Sequence, residues 1–423
     1  MQKVNEMNYV DVIGIGAINY DYMFQCKKKY NHNSSPDSGR EDQGRKQIEV
    51  EKEIEELHRS GKEFTTQVGG SAYLAIKTIK AIDKTLSTAY VGVCGQFNDF
   101  DKRYGTNLNI NDELKNIDNK EWLFFTNKET PEDKRYIGKS VIRLVHHVRD
   151  DSKIWAGAND LIIELIKNKE REENCSFIDY LAQAKWIHIS SLKTFEQFEE
   201  IMLYVIQAKE KNRFLKISID PGYKFIDAEK ERLQRYLQIA DYVFLNKDEF
   251  ENLIINKDMA QNDKYIKLGA YFNNPENVNA KVFIVKHKNR HELIDFVNGI
   301  PYVYYHHKLF CFEIFNDTGA GDCFAGGFIA GVLSDKLIAQ QPASISLGAL
   351  ASRIRMSTPN TEEVYENIEI AAKKFFAKKY INGRNSIKQK LVFLFKYNGK
   401  TVLTFILGAI LSYVVNEICY LIF

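Results

Sequence analysis

Short apolar runs rich in β-branched and aromatic residues alternate with stretches of helical period along most of this chain, and that alternation constrains its fold more than any other feature. The clearest runs are Val10–Ile15, 186–189, 215–219, 242–245 and 282–285. Helical stretches such as Ser71–Ile82 and 195–209 lie between them, and another begins near Ala320. Strands joined by helix-length crossovers predict an α/β fold with a doubly wound, mostly parallel sheet covered by helices on both faces. With 423 residues, 44% of them hydrophobic, the chain can bury one large core or two modest ones. The formal net charge is only +2, and no basic stripe with interleaved aromatics occurs, which argues against a nucleic-acid partner. The cysteines (Cys26, Cys94, Cys175, Cys311, Cys323 and Cys419) are scattered without a C-x-x-C pair. They read as apolar residues in a reducing compartment rather than a zinc site or disulfide framework.

Two regions depart from the alternation. Residues 27–62 are rich in Lys, Glu, Asn, Asp and Ser and read as a surface insertion, within which a charged helix over 49–58 would bring Ile54 and Leu57 against the body. At the other end, 401–423 contains thirteen Val, Leu, Ile or Phe residues and one acidic residue, Glu417. As a helix it would span roughly 34 Å, enough for a bilayer core of about 30 Å. The basic stretch 371–400 precedes it, and no basic residue follows. That asymmetry predicts a membrane tail with the body of the chain, 1–370, in the cytoplasm; a terminal helix docked on protein is the alternative.

The segment Asp317-Thr318-Gly319-Ala320-Gly321-Asp322 opens an apolar helix with small residues on one side. Glycines at the start of a helix let backbone N–H groups converge on an anion at its positive end. An aspartate within such a cradle can accept a substrate hydroxyl proton while the amides of Gly319, Ala320 and Gly321 hold charge developing on a phosphoryl group. No large upward pKa shift is required of it, because proton transfer is late in a loose phosphoryl transition state. An ordinary aspartate N-cap would account for Asp322 alone but not for the hexapeptide.

The hexapeptide and the helix behind it resemble the main signature of the ribokinase-like (PfkB) carbohydrate kinase family, and the resemblance extends over roughly 8–370. It implies a ribokinase-like fold with a small lid, Asp322 as catalytic base, and Gly319, Ala320 and Gly321 as anion hole. Asp317 and Thr318 would serve the nucleotide side, with Asp317 often near a monovalent cation. Asn19 and Asp21, after Gly16, are similar to the family's G-x-x-N-x-D entry to the acceptor pocket, where an amide and a carboxylate at a strand end read adjacent hydroxyls. Gly69 and Gly70 match its glycine pair, and Asn159 its G-A-N segment, which by itself also reads as a strand and turn. Asn246 and Glu249 match its N-x-x-E, which would orient waters of Mg²⁺ on ATP; the same two residues also make a helix capping box.

Two departures bear on the substrate. Leu74 stands where the family often has Asn, and Lys286-His287-Lys288-Asn289-Arg290 replaces its usual Thr-Leu-Gly-x-x-Gly turn. Those charges suit either phosphate contact or a solvated turn. Small residues on 344–356, including Gly348, Ala349 and Ser352, suit an adenine slot. The expectation is ATP- and Mg²⁺-dependent phosphorylation of a hydroxyl on a sugar or sugar-like molecule. The alternatives are a nucleoside kinase and a non-catalytic, membrane-tethered metabolite sensor. The resemblance also implies a possible homodimer through the lid.

Overall fold

The computed structural model describes residues 9–27, 40–43, 45–105, 110–254, 282–286, 290–297, 300–307, 313–334 and 340–384. The apolar tail 401–423, the segment 287–289, Cys311 and Cys419 lie outside them. Two compact units divide the chain, Met1–Ile370 and Ala371–Phe423.

In the first unit the strands are β1 (Val10–Ile15), β2 (Asn19–Cys26), β3 (Arg40–Gln43), β4 (Phe64–Gly69), β5 (Thr88–Cys94), β6 (Leu123–Phe125) and β7 (Gly138–Val145). They continue with β8 (Val148–Trp155), β9 (Ala184–Ser190), β10 (Lys216–Asp220), β11 (Tyr242–Asn246), β12 (Val282–Lys286), β13 (Arg290–Val297) and β14 (Ile300–His307). Nine form one sheet in the order β14-β13-β12-β11-β10-β9-β1-β5-β6. From β12 to β6 every pairing is parallel, and only β13 and β14 add antiparallel edges. Central strands covered on both faces need apolar side chains in both directions, which is why β1 and β9 read as near-continuous apolar runs and bury Ile13, Ile15, Ile187 and Ile189. All five strands expected from the sequence lie within this sheet.

The chain order reverses beside β1, whose neighbours are β5 and β9. Ligands in doubly wound sheets bind at such a reversal, outside the carboxyl ends of the strands. Register aligns those ends here: Ser190 lies opposite Asp220, and Asn246 opposite Lys286.

The second sheet, β3-β8-β7-β2-β4, is the lid. Side chains alternate across it, so Asn19, Asp21 and Met23 share one face with Gln67, Ser140 and Ile142. The other face carries Tyr20, Tyr22, Phe24, Lys139 and Arg143. The insertion 27–62 supplies the edge strand β3 and the helix Gln47–Arg59, whose Val50, Glu53, Ile54 and Leu57 are buried. That helix covers the outer face of the lid: Glu51 pairs with Lys139 at 3.1 Å, and Glu53 with both Arg143 and Lys153. The polar composition of the insertion thus serves as an ionic seam. A dimer built on this face would find it already covered by the chain's own helix.

Glu53→Ala leaves two largely buried cations without their shared carboxylate, and is expected to cost about 3 kcal/mol. Denaturant unfolding of the two proteins measures this directly.

Among the described residues no helix is long and apolar enough to cross a membrane. The helix Val364–Arg384 runs into the stretch expected as a linker, so the beginning of that stretch is ordered as helix. The four described cysteines are free thiols.

Candidate active site

Gly319 adopts φ +81, a left-handed conformation that L side chains rarely adopt, and from it the helix Ala320–Leu333 begins. Its amide end faces the carboxyl ends of the central strands. The helix is apolar on nearly all sides because it is buried between neighbours. Gly327 and Gly331 lie so close to Gly348 and Ser344 of the helix Gln340–Ser357 that a Cβ on either would meet them at 2.8 Å. The small size of Gly348 and Ser344 is thereby accounted for by helix packing; Ser352, on the same helix, is buried.

Asp322 occupies the first turn of Ala320–Leu333. Burial pushes its pKa up to about 6, and the negative charge of Asp220 adds to the effect, while Lys286 and a hydrogen bond from Ser71 oppose it. The carboxyl is therefore more basic than its chemistry alone requires. Lys286 Nζ bonds to Asp220 Oδ2 at 2.9 Å and would lie 3.3 Å from a Cβ on Gly321. Burial disfavours its charge, but Asp220, Glu249 and Asp322 outweigh that and hold its pKa above the usual lysine value. A cation thus stands beside the amides of 319–321.

On the lid side, Asp21 accepts a short hydrogen bond from Ser140 Oγ and one of 3.3 Å from Gln67 Nε2. Burial raises its pKa, against these bonds and the charges of Arg149 and Lys193. Gly69 must be glycine, since a Cβ there would overlap the Asp21 carboxylate. Gly70, with φ +116, comes so close to the Ala17 carbonyl that a Cβ would overlap that too. Asn19 and Asn159 meet at 3.2 Å, but the Asn159 amide is otherwise committed to backbone: its Oδ1 accepts from Ile18 N, and its Nδ2 donates to the carbonyls of Ile18 and Ala156. Its geometry is that of a brace behind Asn19.

The loop before Gly319 is tied to the lid hairpin. Arg149 N donates to Asp317 Oδ1 at 2.8 Å, Asp317 N to His147 O at 3.2 Å, and Asn316 Nδ2 reaches Met23 Sδ at 3.0 Å. Asp317 therefore fastens lid to loop, and burial raises its pKa despite the Arg149 bond. Thr318 Oγ1 is buried without a hydrogen-bond partner, and so is open to a ligand.

Asn246 and Glu249 form a reciprocal capping box: Glu249 N donates to Asn246 Oδ1 at 2.8 Å, and Asn246 N to Glu249 Oε2 at 2.7 Å. Among the described residues no cluster of three metal-ligating side chains occurs. The donor set fits a Mg²⁺ held chiefly by nucleotide phosphates and waters rather than a protein cage. The glycine cradle fits a phosphate.

The pfkB family carbohydrate kinase pattern matches residues 156–366, which contain Asp220, Asn246, Glu249, Lys286 and the segment 317–322. The chain belongs to the pfkB carbohydrate kinase family. Solved structures share the kinase's fold over a wider span. A ribokinase from Giardia lamblia is 16% identical, covering 86% of this chain and 99% of its own at a TM-score of 0.62. An adenosine kinase from Schistosoma mansoni in complex with 2-fluoroadenosine is 15% identical, covering 82% and 95% at 0.63. An adenosine kinase from Anopheles gambiae is 17% identical, covering 84% and 97% at 0.62. No curated protein gives a significant match.

Four residues of this site lay beyond the motifs: Gln67, Ser140, Arg149 and Arg355. Asp220 stands in the strand end Asp220-Pro221-Gly222, which resembles the family's D-P-G, and Ser71 directly follows its glycine pair. The four come from separate elements and carry no local pattern.

Proposed function

We propose that the protein transfers the γ-phosphoryl group of ATP to a hydroxyl of a sugar or sugar-like small molecule. The observation that carries this reading is Asp322 in the first turn of a helix whose entry turns on the left-handed Gly319 and is faced at Gly321 by Lys286. In the reaction the acceptor oxygen bonds to the γ-phosphorus while its proton passes to Asp322. The bridging P–O bond breaks and its electron pair leaves on the β-phosphate of ADP. Amides of Gly319 and Gly321, with Lys286, hold the charge spread over the transferring oxygens, whereas the Ala320 N–H, expected to join them, donates to the Asp317 carbonyl at 3.1 Å.

Asn19 and Asp21 read the acceptor hydroxyls above Gly69 and Gly70, with Asn159 bracing Asn19. Thr318 and Ser352 line the nucleotide side. Bound Mg²⁺ would supply charge neutralisation on the phosphates, with its waters oriented by Asn246 and Glu249. Asp317 would shape the same region while holding the lid; a monovalent cation beside it belongs to the reading only through the family resemblance.

A nucleoside acceptor is the second reading. It is favoured by the apolar cluster of Met23, Ile142 and Leu144, two of which share the lid face of Asp21 and could pack against a base. Incubating purified protein with ATP, Mg²⁺ and a panel of pentoses, hexoses, sugar acids and nucleosides tests both. Phosphorylated sugar is the expected product; phosphorylated nucleoside alone would select the second reading. Binding without transfer to any acceptor would overturn the kinase reading in favour of a metabolite sensor.

A further inference from the structure

Arg355 is 2% exposed on the helix Gln340–Ser357. A guanidinium so deeply buried is costly unless a carboxylate or several hydrogen bonds compensate it. Its hydrogen-bond partners here are neutral: Nε donates to Thr318 O and Nη2 to Gln67 Oε1, each at 2.8 Å. Nη1 is buried without a hydrogen-bond partner among the described residues. Its charge also acts on the nearby Asp317 carboxylate, but no carboxylate is among the groups it bonds.

The group it grips accounts for its position. The Thr318 carbonyl and the Gly319 N–H belong to one rigid trans peptide plane, so holding the first aims the second in the opposite direction. Gly319, at φ +81, is the residue that would allow this plane to turn over, because glycine crosses between conformations at little steric cost. Arg355 Nε lies 3.3 Å from where a Gly319 Cβ would sit, whereas Leu74 offers only a methyl at 3.0 Å and Asp322 Oδ2, an acceptor that cannot hold a carbonyl, lies at 3.9 Å. Arg355 therefore supplies the polar restraint on this peptide, and thereby on the first amide of the anion hole.

The restraint is linked to the acceptor side. Gln67 accepts from Arg355 at one end of its amide and donates to Asp21 Oδ2 at the other, 3.3 Å away. Asp21 and Gln67 belong to the lid strands β2 and β4, whereas Arg355 and Thr318 belong to the layer beneath. One continuous line of hydrogen bonds thus runs from the acceptor-reading carboxylate through Gln67 and Arg355 to the anion-hole peptide.

We propose that Gln67 and Arg355 are positioning residues that hold the Thr318–Gly319 peptide in the orientation that aims the Gly319 amide at the transferring phosphoryl group, and that tie this orientation to Asp21. The proposal deepens the assignment of Asp322 and 319–321 above and rests on it. Gln67→Leu and Arg355→Met each cut the line at a different place, while Asp322 and the binding group Asp21 remain. Loss of one oxyanion donor typically costs about 10²–10³-fold in turnover, so each variant is expected to lower kcat by about 10²-fold while the acceptor KM changes by less than about 3-fold. Because both act on the same peptide, the double variant should be no more than about 3-fold slower than the slower single one. Arg355→Lys, which keeps a cationic donor for Thr318 O, should recover about 10-fold over Arg355→Met.

Rates are taken per folded molecule, with melting measured alongside; should Arg355→Met fail to fold, Gln67→Leu and Arg355→Lys carry the same comparison of kcat with KM. Unchanged kcat in these variants, losses that multiply in the double variant, or an effect confined to melting temperature would each overturn the proposal. Asp322→Asn in the same assay separates the two levels. If it keeps full turnover, the base assignment fails; if it is inactive while the relay variants turn over normally, only the relay fails.

Discussion

Asp322→Asn is expected to lower kcat by about 10²–10⁴-fold, the usual contribution of a positioned general base, while ATP binding measured by calorimetry stays near that of the parent protein. Asparagine keeps the shape of the side chain at the mouth of Ala320–Leu333 but cannot take the acceptor's proton. The pH dependence follows from the same carboxyl. Its pKa is pushed up to about 6 by burial and by Asp220, so activity should rise with pH through that value and level off above it, as the ionised form is the base.

Stability should run the other way. A carboxyl whose folded pKa lies above its unfolded value near 3.8 binds its proton more tightly when folded. Its stabilising contribution is complete below the unfolded pKa and is lost as pH rises through about 6. At pH 8 the parent protein then carries a buried charge that Asp322→Asn lacks, and the variant is expected to be more stable by about 1–3 kcal/mol. Denaturant unfolding at pH 5 and pH 8 checks the sign, since the difference should shrink at the lower pH. A variant that is both inactive and more stable than its parent would be hard to explain by misfolding.

Lys286→Met should have the second-largest effect. Its ammonium bonds to Asp220 and stands against Gly321, so its loss removes a cation from the phosphoryl site and leaves two carboxylates, Asp220 and Asp322, facing each other without it. A fall in kcat/KM for ATP of about 10²-fold is expected. The activity limb near pH 6 should also move to higher pH, because Lys286 is among the groups that lower the Asp322 pKa. Lys286→Arg keeps the charge, and should keep the limb near its parent position even if the rate falls through altered geometry. A limb unmoved in Lys286→Met would mean that the lysine does not act on Asp322.

Legibility in the sequence followed the range of the interactions involved. The parallel sheet could be read because central strands covered on both faces need mostly apolar side chains: β11 and β12 carry unbroken runs, and β1, β9 and β10 interrupt theirs only with single polar residues such as Asp11, His188 and Ser218. The lid could not be read in that way. Its strands β2, β7 and β8 place polar residues such as Asp21, Lys139, Ser140 and Ser152 in buried positions, where neighbouring side chains and the helix Gln47–Arg59 meet them. Ile54 and Leu57 did announce that this helix packs, through their spacing; the lysines and arginine that meet Glu51 and Glu53 come from strands some ninety to a hundred residues later in the chain.

The active site divides along the same line. Sequence by itself determined the glycine-rich helix entry, its aspartate and the Asn246–Glu249 pair, because each is a contiguous backbone device whose chemistry depends on residues a few positions apart. Only the tertiary structure decided what surrounds them: that Asn159 braces backbone, that Asp317 holds the lid hairpin, that Lys286 turns toward Gly321, and that Arg355 and Gln67 join Asp21 to Thr318. The physical reason is that hydrogen bonds and charges act over a few ångströms of space whatever the separation along the chain. Gln67 and Arg355 lie 288 residues apart in sequence and 2.8 Å apart in the fold.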